Sequence, residues 1–490
     1  MERELFVGFD VGTQGTKALL LDASAHRVVA RASSGYGLIS GLPEGAAEQH
    51  PETWIEAVRA CCAQLFAGRD TDKARVAGIG VSGQQHGCVA LDAEERVVRP
   101  AKLWCDTSTA VEARELSAKL RRHIPAGYTA SKVLWLARRE PASWERVRRV
   151  LLPHDFVNLR LTGRYATDAG DASGTGYFDA RTRRFDLDAC AAIDARLPEL
   201  VPEVARADAF AGELTRAGAA TLGLRAGVPV SAGSGDNMLS ALGSGATRAG
   251  VAVVSLGTSA TVFAYSAEPI DDESGVVAPF CDATGAHLPL LCVMNATGVL
   301  EAVKSAFASD HGALTQAAER VPAGCGGVVW LPYLQGERAP DLPHATGVIA
   351  GLRAESLDRG VLYRAALEGV AFNLAWGIER MRAAGVAIDS ARVVGGAAQN
   401  ELACRILSDV LEIPLVRLAE PESAALGAAL QAQWAFRCSR AERVSADAIA
   451  TACVRTDGAP IEPRDEHRDT YRAAQGRFRE LVRANFGAAR

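Results

Sequence analysis

Several kinds of sequence feature are missing from this chain, and each absence removes a class of protein. The 490 residues contain no run of about 18 or more uncharged apolar residues, so we expect no membrane span and no membrane partner. The charged start from Met1 to Glu4 has no signal-peptide core. The 11 cysteines are scattered and include no CxxC pair, which argues against a disulfide framework or a zinc site. We therefore expect a cytoplasmic protein with reduced thiols.

Lysine is scarce, and no part of the chain is strongly basic. Lysine occurs only at positions 17, 73, 102, 119, 132 and 304, so most of the 53 basic residues are arginines, which are spread along the sequence. With a formal net charge of −5 and no basic patch, we expect no nucleic-acid partner. The composition is that of an ordinary globular protein, and the length accommodates two large domains. The sequence leaves the oligomeric state open, a homodimer included.

Both halves of the chain begin with the same succession of apolar segments. In the first half, the spacing predicts strands at 5–9, 18–21, 27–32 and 76–81 and a helix at 51–66. In the second half, it predicts strands at 251–256, 260–264 and 287–293 and a helix at 297–307. This approximate internal duplication predicts an α/β protein of two domains, residues 1–244 and 245–490.

A turn rich in glycine and threonine separates the first two predicted strands. Glycines let the backbone approach a ligand closely, and clustered backbone N–H groups bind phosphate. We therefore predict that Gly12, Thr13 and Thr16 bind ATP. Asp10 offers a hard oxygen ligand, and we predict that it serves Mg²⁺. The alternative is an ordinary hairpin, in which aspartate and glycine are simply good turn formers.

The second half carries a matching turn and a further pair of glycines. Gly257 and Thr258 repeat the phosphate-type turn in register but lack the acid, so we predict phosphate binding without metal. Gly395 and Gly396 follow a predicted strand and precede a helix, and we predict that they and Asn400 bind the nucleotide. Strand–glycine–helix turns are common in α/β folds, so close packing alone explains this last motif equally well.

Polar side chains follow the predicted strand 76–81. Ligands of open α/β sheets bind at the carboxyl edge of the strands, so we predict that Gln85 and His86 bind a polyol. Trp104 and Asp106 are a second candidate pair, because an aromatic ring and a carboxylate suit a sugar face and its hydroxyls. The alternatives are a loop with a hydrogen-bonded histidine and a buried tryptophan beside a turn aspartate.

Asp236 and Asn237 follow another apolar strand, at 228–232. An acid in this position can accept a proton from a substrate hydroxyl. It can equally be the N-cap of the helix that starts after it. The residues themselves leave both interpretations open.

Taken together, these motifs resemble the FGGY family of carbohydrate kinases over nearly the whole chain. The resemblance rests on an ordered set of segments: 10–17, 48–54, 83–87, 103–106, 128–135, 152–155, 162–163, 171–175, 234–237, 255–259, 331–338, 395–396 and 425–429. The chain departs from the family pattern at Ala339-Pro340, where threonine-proline is usual, and in a shorter segment between Thr109 and Gly127.

The resemblance implies two actin-like (ribonuclease H-like) domains, each a mixed sheet flanked by helices, with ATP and sugar meeting in the cleft between them. It implies that Asp236 is the catalytic base and contacts the sugar, that Gln85, His86 and Asn237 bind the sugar, and that Asp10 serves the metal. The implied activity is ATP- and Mg²⁺-dependent phosphorylation of a ketopentose, D-xylulose at its C5 hydroxyl. The alternatives are another ketopentose or polyol, such as D-ribulose or L-xylulose, and a non-catalytic sugar- or nucleotide-binding protein.

Overall fold

The structure is a computed structural model that describes residues 4–272 and 274–487. The strands of the first half are β1 (Leu5–Val11), β2 (Gly15–Asp22), β3 (Arg27–Gly35), β4 (Glu48–Gln49), β5 (Val76–Gly83), β6 (Val89–Leu91), β7 (Ala101–Lys102), β8 (Arg149–Leu151), β9 (Ala166–Asp168), β10 (Phe178–Asp179), β11 (Arg184–Phe185), β12 (Glu203–Ala205), β13 (Phe210–Glu213), β14 (Pro229–Ser231) and β15 (Ser234–Gly235). Its helices are α1 (Pro51–Leu65), α2 (Asp70–Lys73), α3 (Ala110–Leu120), α4 (Thr129–Arg139), α5 (Pro141–Arg146), α6 (Pro153–Thr162), α7 (Ala169–Ala172), α8 (Leu187–Ile193), α9 (Leu197–Leu200), α10 (Arg216–Leu222) and α11 (Asp236–Gly243).

The second half has fewer and longer elements. Its strands are β16 (Gly250–Leu256), β17 (Ala260–Ala264), β18 (Ala278–Cys281), β19 (His287–Val293), β20 (Val329–Leu331), β21 (Val348–Ala350), β22 (Ile388–Val394), β23 (Leu415–Leu418) and β24 (Thr456–Ile461). Its α-helices are α12 (Thr297–Ala306), α13 (His311–Glu319), α14 (Arg359–Ala383), α15 (Glu401–Leu411), α16 (Ser423–Ser439), α17 (Ala446–Cys453) and α18 (Asp465–Phe486). Short 3₁₀ helices occur at Cys325–Gly327, Ala354–Ser356 and Gly396–Gln399.

Each half is built around one mixed sheet of seven strands. The first sheet has the order β13-β14-β5-β1-β2-β3, with β15 also paired to β5. The second has the order β18-β19-β17-β16-β22-β23-β24. In both sheets a central strand, β1 or β16, pairs antiparallel with the next strand and parallel with a later one, β5 or β22. This shared arrangement confirms the predicted internal duplication and α/β class.

The central strands of both sheets have almost continuously apolar sequences. β1 is buried along its length, as expected for a strand covered on both faces. The helix α1 has Pro51 in its first turn, where proline suits the helix, and buries one face that includes Trp54, Val58 and Cys61. Within the residues that the structure describes, no helix is both long and apolar enough to cross a bilayer.

One helix of the second half packs on the first sheet. A Cβ placed on Gly8 of β1 would lie 1.9 Å from the carbonyl oxygen of Ala425 in α16, and one on Gly80 of β5 would lie 1.9 Å from that of Ala428. These positions therefore admit only glycine if α16 is to lie directly on the sheet backbone. The contact joins the two halves, and the predicted boundary after residue 244 stays a prediction.

Candidate active site

The candidate site begins where three neighbouring strands end. Asp10 of β1 is opposite Ser82 of β5, and Ser82 is also opposite Ser234 of β15. The segments that follow β5 and β15 therefore leave the sheet side by side. One carries Gln85 and His86, and the other begins α11 with Asp236. Parallel strands explain this meeting, because their carboxyl ends lie at one edge of the sheet.

Asp236 is the first residue of α11, and the N-cap position is occupied by Gly235. The N-cap interpretation of Asp236 is therefore wrong for this helix. One carboxylate oxygen, Oδ1, accepts hydrogen bonds from the backbone N–H and the side-chain Nδ2 of Asn237, at 2.8 and 3.0 Å. The side chain is partly exposed, and no hydrogen bond is recorded to Oδ2 among the described residues. Burial, followed by the charges of Asp10 and Asp171, raises the pKa of Asp236 to about 8.

Two buried polar atoms of the segment that follows β5 have no recorded hydrogen-bond partner among the described residues. Asn237 Nδ2 donates to Gln85 Oε1 at 2.8 Å, which turns Gln85 Nε2 to the other side, where no acceptor lies within hydrogen-bond distance. His86 Nδ1 is also buried; it lies against Gly174 and has no recorded hydrogen bond in the part of the chain that the structure describes. Such groups are rare in native proteins because each costs free energy until a partner is supplied. Their position at the cleft indicates a polar ligand.

His86 itself is held in an unusual state. Its φ of 63° lies in the left-handed region. Non-glycine residues seldom adopt this conformation, and those that do are concentrated at functional sites. The ring lies 4.8 Å from that of Tyr128 and 5.9 Å from that of Phe280. Burial, with the nearby charges of Lys132 and Arg338, lowers the pKa of His86 to about 3. The imidazole is therefore neutral at physiological pH and can both donate and accept a hydrogen bond.

The first phosphate-type turn is closed by a bond from Gly12 N–H to the carbonyl oxygen of Gly15, at 3.0 Å. Thr13 Oγ1 donates to Gln84 Oε1 and accepts from Trp104 Nε1, both at 2.9 Å. These bonds fix the turn against the segment that carries Gln85. Thr16, by contrast, is fully buried, and its hydroxyl faces Tyr36 at 3.2 Å instead of the cleft.

The second phosphate-type turn, at Gly257-Thr258, is closed by the same kind of backbone hydrogen bond. Gly257 N–H donates to the carbonyl oxygen of Ser259 at 3.0 Å, and both Gly257 and Thr258 are exposed. Thr297 Oγ1, at the start of α12, donates to the Gly257 carbonyl at 2.7 Å and holds the turn in place. Gly395 lies beside it, because Val394 of β22 is opposite Ser255 of β16.

Gly395 requires glycine for two reasons. Its φ is +90°, and a Cβ there would lie 2.4 Å from the Leu256 carbonyl oxygen. Gly396 is exposed, and a Cβ there would meet no atom within 4 Å, so space for a ligand is open above it. The structure therefore places the Gly257 turn and the Gly395-Gly396 turn next to each other, as a nucleotide site requires.

Two predicted ligands are engaged elsewhere. Asp106 has no exposed surface and accepts four hydrogen bonds, from Ala47 N, Lys102 Nζ, Ser108 N and Ser108 Oγ, which use the capacity of its carboxylate. Asn400 caps α15 by accepting from Ala403 N, and its Nδ2 donates to Thr315. Both residues support the loops around the site through their side chains.

Sequence reasoning missed the residues that the second half contributes to the sugar side. Thr261 of β17 donates to Asn237 Oδ1 at 3.1 Å, and Phe280 of β18 lies against the His86 ring. It also missed a buried cluster behind the site, in which His154 Nδ1 lies 2.7 Å from Asp171 Oδ2. No local sequence pattern predicts such contacts, because they join segments that are distant in sequence.

Comparison with known proteins shows which family this chain matches. The model of the FGGY family of carbohydrate kinases, N-terminal domain, matches residues 5–243, and that of its C-terminal domain matches residues 252–436. The xylulose kinase of Haemophilus influenzae is 38 % identical over 447 residues, covering 88 % of this chain and 90 % of that protein. The xylulose kinase of Escherichia coli is 36 % identical over 445 residues, with coverage of 88 % and 90 %.

Solved structures show the same likeness in three dimensions. The crystal structure of xylulose kinase from Rhodospirillum rubrum superposes with a TM-score of 0.88 at 30 % identity, covering 98 % of this chain and 99 % of that one. The protein is therefore a sugar phosphotransferase with the actin-like, two-domain fold. It belongs to the FGGY family of carbohydrate kinases, which confirms both the predicted fold class and the resemblance.

Proposed function

We propose that the protein transfers the γ-phosphoryl group of ATP to the C5 hydroxyl of D-xylulose, giving D-xylulose 5-phosphate and ADP. The observation that carries the proposal is that Asp236 lies beside the segment of Gln85 and His86, whose Nε2 and Nδ1 atoms have no recorded hydrogen bond among the described residues. An acid and free hydrogen-bonding groups are what a sugar hydroxyl needs. The xylulose kinases that are 36–38 % identical over most of the chain support this choice of sugar.

Asp236 is the proposed catalytic base. As the bond between the C5 oxygen and the γ-phosphorus forms and the bond to the ADP oxygen breaks, Oδ2 of Asp236 accepts the hydroxyl proton. A base whose pKa lies near the working pH is suited to this transfer, and that of Asp236 is raised to about 8. Asn237 holds Oδ1 by two hydrogen bonds, so the carboxylate keeps its orientation.

The nucleotide lies, in this proposal, between the two halves. The N–H groups of Gly12 and Gly257 close their own turns, so the phosphates are bound by other N–H groups of these turns, those of Thr13 and Thr258. Gly395-Gly396 allows the adenosine end to lie against the backbone. Positioning and charge stabilisation supply most of the catalysis of phosphoryl transfer. Closure of the cleft keeps water, the competing acceptor, away from the γ-phosphate.

Asp10 fits a role in holding Mg²⁺. Its charge is near enough to Asp236 to contribute to the raised pKa of that residue, and its Oδ1 accepts a hydrogen bond from Ser82 Oγ at 2.8 Å. No group of three or more histidine, cysteine or acidic residues in the described ranges forms a complete metal cage. Mg²⁺ keeps several waters and uses one or two carboxylates, so a single acid suits it. When bound, the ion would neutralise charge on the phosphates.

The first experiment is a substrate panel. Purified enzyme is given ATP, Mg²⁺ and, in parallel, D-xylulose, D-ribulose, L-xylulose and glycerol, and ADP formation is measured. We expect D-xylulose to have the highest kcat/KM. A higher value for another sugar would replace D-xylulose as the substrate, and no sugar-dependent ADP from any of them would favour a non-catalytic binding protein.

His86→Ala should mainly weaken sugar use. The loss of a polar contact to a substrate hydroxyl costs roughly 1–3 kcal/mol in a closed site, so we expect kcat/KM for D-xylulose to fall about tenfold to a hundredfold. The KM for ATP should change little, because His86 lies on the sugar side. Steady-state kinetics with each substrate varied separately measure both values.

The control for this variant is His123→Ala, because His123 is exposed and has no recorded side-chain hydrogen bond. It should retain the kinetics of the unmodified enzyme. An ATP defect as large as the sugar defect in His86→Ala would show that the histidine supports the structure instead of the substrate.

Cysteine labelling should report occupancy of the sugar site. Cys105 follows Trp104, and Cys292 lies on β19; both are partly exposed, and burial raises the pKa of both thiols, so alkylation should be slow. We expect D-xylulose to slow it further at both. Cys438, partly exposed near the end of α16, is the internal control. Mass spectrometry of single peptides measures each rate, and equal rates with and without sugar would place Cys105 outside the site.

A further inference from the structure

The second domain forms one wall of the sugar site. Thr261 of β17 donates to Asn237 Oδ1 at 3.1 Å, next to the proposed base. Cys292 of β19 is opposite Thr261 in the sheet, so the two side chains project from the same face. Beyond Cys292 lies the guanidinium of Arg338, which opposes the rise that burial causes in the pKa of the Cys292 thiol. Thr261, Cys292 and Arg338 therefore follow one another along this wall, starting from the proposed base.

Arg338 also reaches the wall formed by the first domain. Its Nη2 lies 3.9 Å from the position that a Cβ on Gly127 would take, and that same position is 2.8 Å from the carbonyl oxygen of Trp104. The guanidinium is near enough to His86 and Tyr128 to act on the pKa of both side chains. The arginine, which belongs to the second half, thus lies beside residues of the first half as well as beside Cys292.

The backbone that carries Arg338 is firmly held. Glu337 is buried, and its Oε1 accepts the N–H groups of Arg338 at 2.8 Å and Met294 at 2.6 Å. Its Oε2 accepts from Asn295 at 3.1 Å and from Asn373 at 3.2 Å. A buried carboxylate with four donors fixes the loop, while the Arg338 side chain remains exposed.

The charge of Arg338 has no partner in the described ranges. It occurs in none of the recorded ion pairs, whereas the buried Arg364 pairs with Glu368 at 2.9 Å. The groups around it include a neutral imidazole, a phenol and a thiol. Lys132, whose pKa burial lowers to about 7, donates to the Gly127 and Tyr128 carbonyl groups. The neighbouring carboxylate of Glu337 already accepts four hydrogen bonds, so the free donors at this end of the site suit an oxygen that only accepts hydrogen bonds.

We propose that Arg338 is a specificity-determining residue that donates hydrogen bonds to the C1–C2 end of the acceptor sugar and selects a ketose over the corresponding polyol. The inference rests on the proposed function. If the C5 hydroxyl of the sugar lies at Asp236, the other end of the sugar, which carries the C2 carbonyl group, lies toward Arg338. A carbonyl oxygen carries no hydrogen and needs no acceptor from the protein. The planar guanidinium matches two adjacent oxygens, here those on C1 and C2, better than an ammonium does.

The test compares a ketose with its reduced form. Arg338→Met removes the hydrogen-bond donors while keeping an extended side chain. Arg338→Lys keeps the positive charge but lacks the planar guanidinium group. We expect Arg338→Met to lower kcat/KM for D-xylulose about tenfold to a hundredfold, and that for xylitol by about threefold or less. The KM for ATP should stay within about twofold of the unmodified value. The kcat/KM of Arg338→Lys for D-xylulose should lie between those of the unmodified enzyme and Arg338→Met.

The matched control is Arg359→Met, which removes an exposed arginine with no recorded ion pair at the start of α14 and should leave all constants unchanged. Unfolding temperatures verify that every variant folds. Unchanged kcat/KM for D-xylulose in Arg338→Met, an equal loss for ketose and polyol, or a loss confined to ATP would each overturn the inference. Failure of the unmodified enzyme to phosphorylate D-xylulose would instead reject the proposed function, and the inference with it.

Discussion

Replacing Asp236 by asparagine is expected to lower kcat by about 10²–10⁴-fold, the usual contribution of a positioned base. Asparagine has nearly the same shape, and its side-chain oxygen can still accept the two hydrogen bonds that Asn237 donates to Oδ1. The fold and ATP binding should therefore survive. Proton acceptance matters in the transition state, so the loss should appear in kcat more than in the affinity for either substrate.

Three measurements separate this result from a structural defect. Stopped assays give kcat, nucleotide titration gives the affinity for ATP, and thermal unfolding reports the fold. Asp358→Asn is the matched control, because Asp358 caps α14 through its side chain and lies outside the proposed site. A kcat for Asp236→Asn within about threefold of the unmodified enzyme would remove Asp236 from the chemistry.

Asp10→Ala is expected to abolish most activity and to weaken the dependence on Mg²⁺. The variant removes the carboxylate nearest the first phosphate turn and leaves Ser82 Oγ without its acceptor. Because metal and phosphate charges must be balanced for transfer, we expect a loss of at least about a hundredfold in kcat/KM for ATP. Activity measured against Mg²⁺ concentration, with nucleotide binding measured at each concentration, reports the two effects separately.

The control is Asp70→Ala, which removes an exposed acid that pairs only with Lys73 on the surface. It should behave as the unmodified enzyme does. If Asp10→Ala turns over normally at ordinary Mg²⁺ concentrations, Asp10 does not belong to the metal site, and the acidic turn at β1 would be a hairpin with no role in catalysis.

Much of the architecture was accessible from local patterns. The strands β17 and β19 and the start of α12 fall where the apolar spacing predicts them, because strands and helices of a buried α/β core have continuous or periodic apolar sequences. Helix ends were less accurate. The helices predicted at 51–66 and 297–307 each extend one residue beyond the end of α1 and of α12.

The site was predicted unevenly, for physical reasons. Gln85, His86 and Asp236 each follow an apolar strand, and strand pairing brings their segments together; their roles stay predictions. Asp106 and Asn400 looked equally suitable by residue type. Their side-chain capacity is used by Lys102, Ser108, Ala403 and Thr315, and a one-dimensional pattern does not show which partner a polar group finds.

The sequence by itself determined the two duplicated halves, the paired phosphate-type turns and the acid after β15, because these depend on apolar periodicity and on turn chemistry within a few residues. Only the tertiary structure decided that α16 lies on the first sheet against Gly8 and Gly80, that Thr261 contacts Asn237 with Cys292 beside it, and that Arg338 lies near Gly127. Such contacts depend on how two distant surfaces fit and on which polar groups remain unpaired after packing, and those are properties of the folded chain.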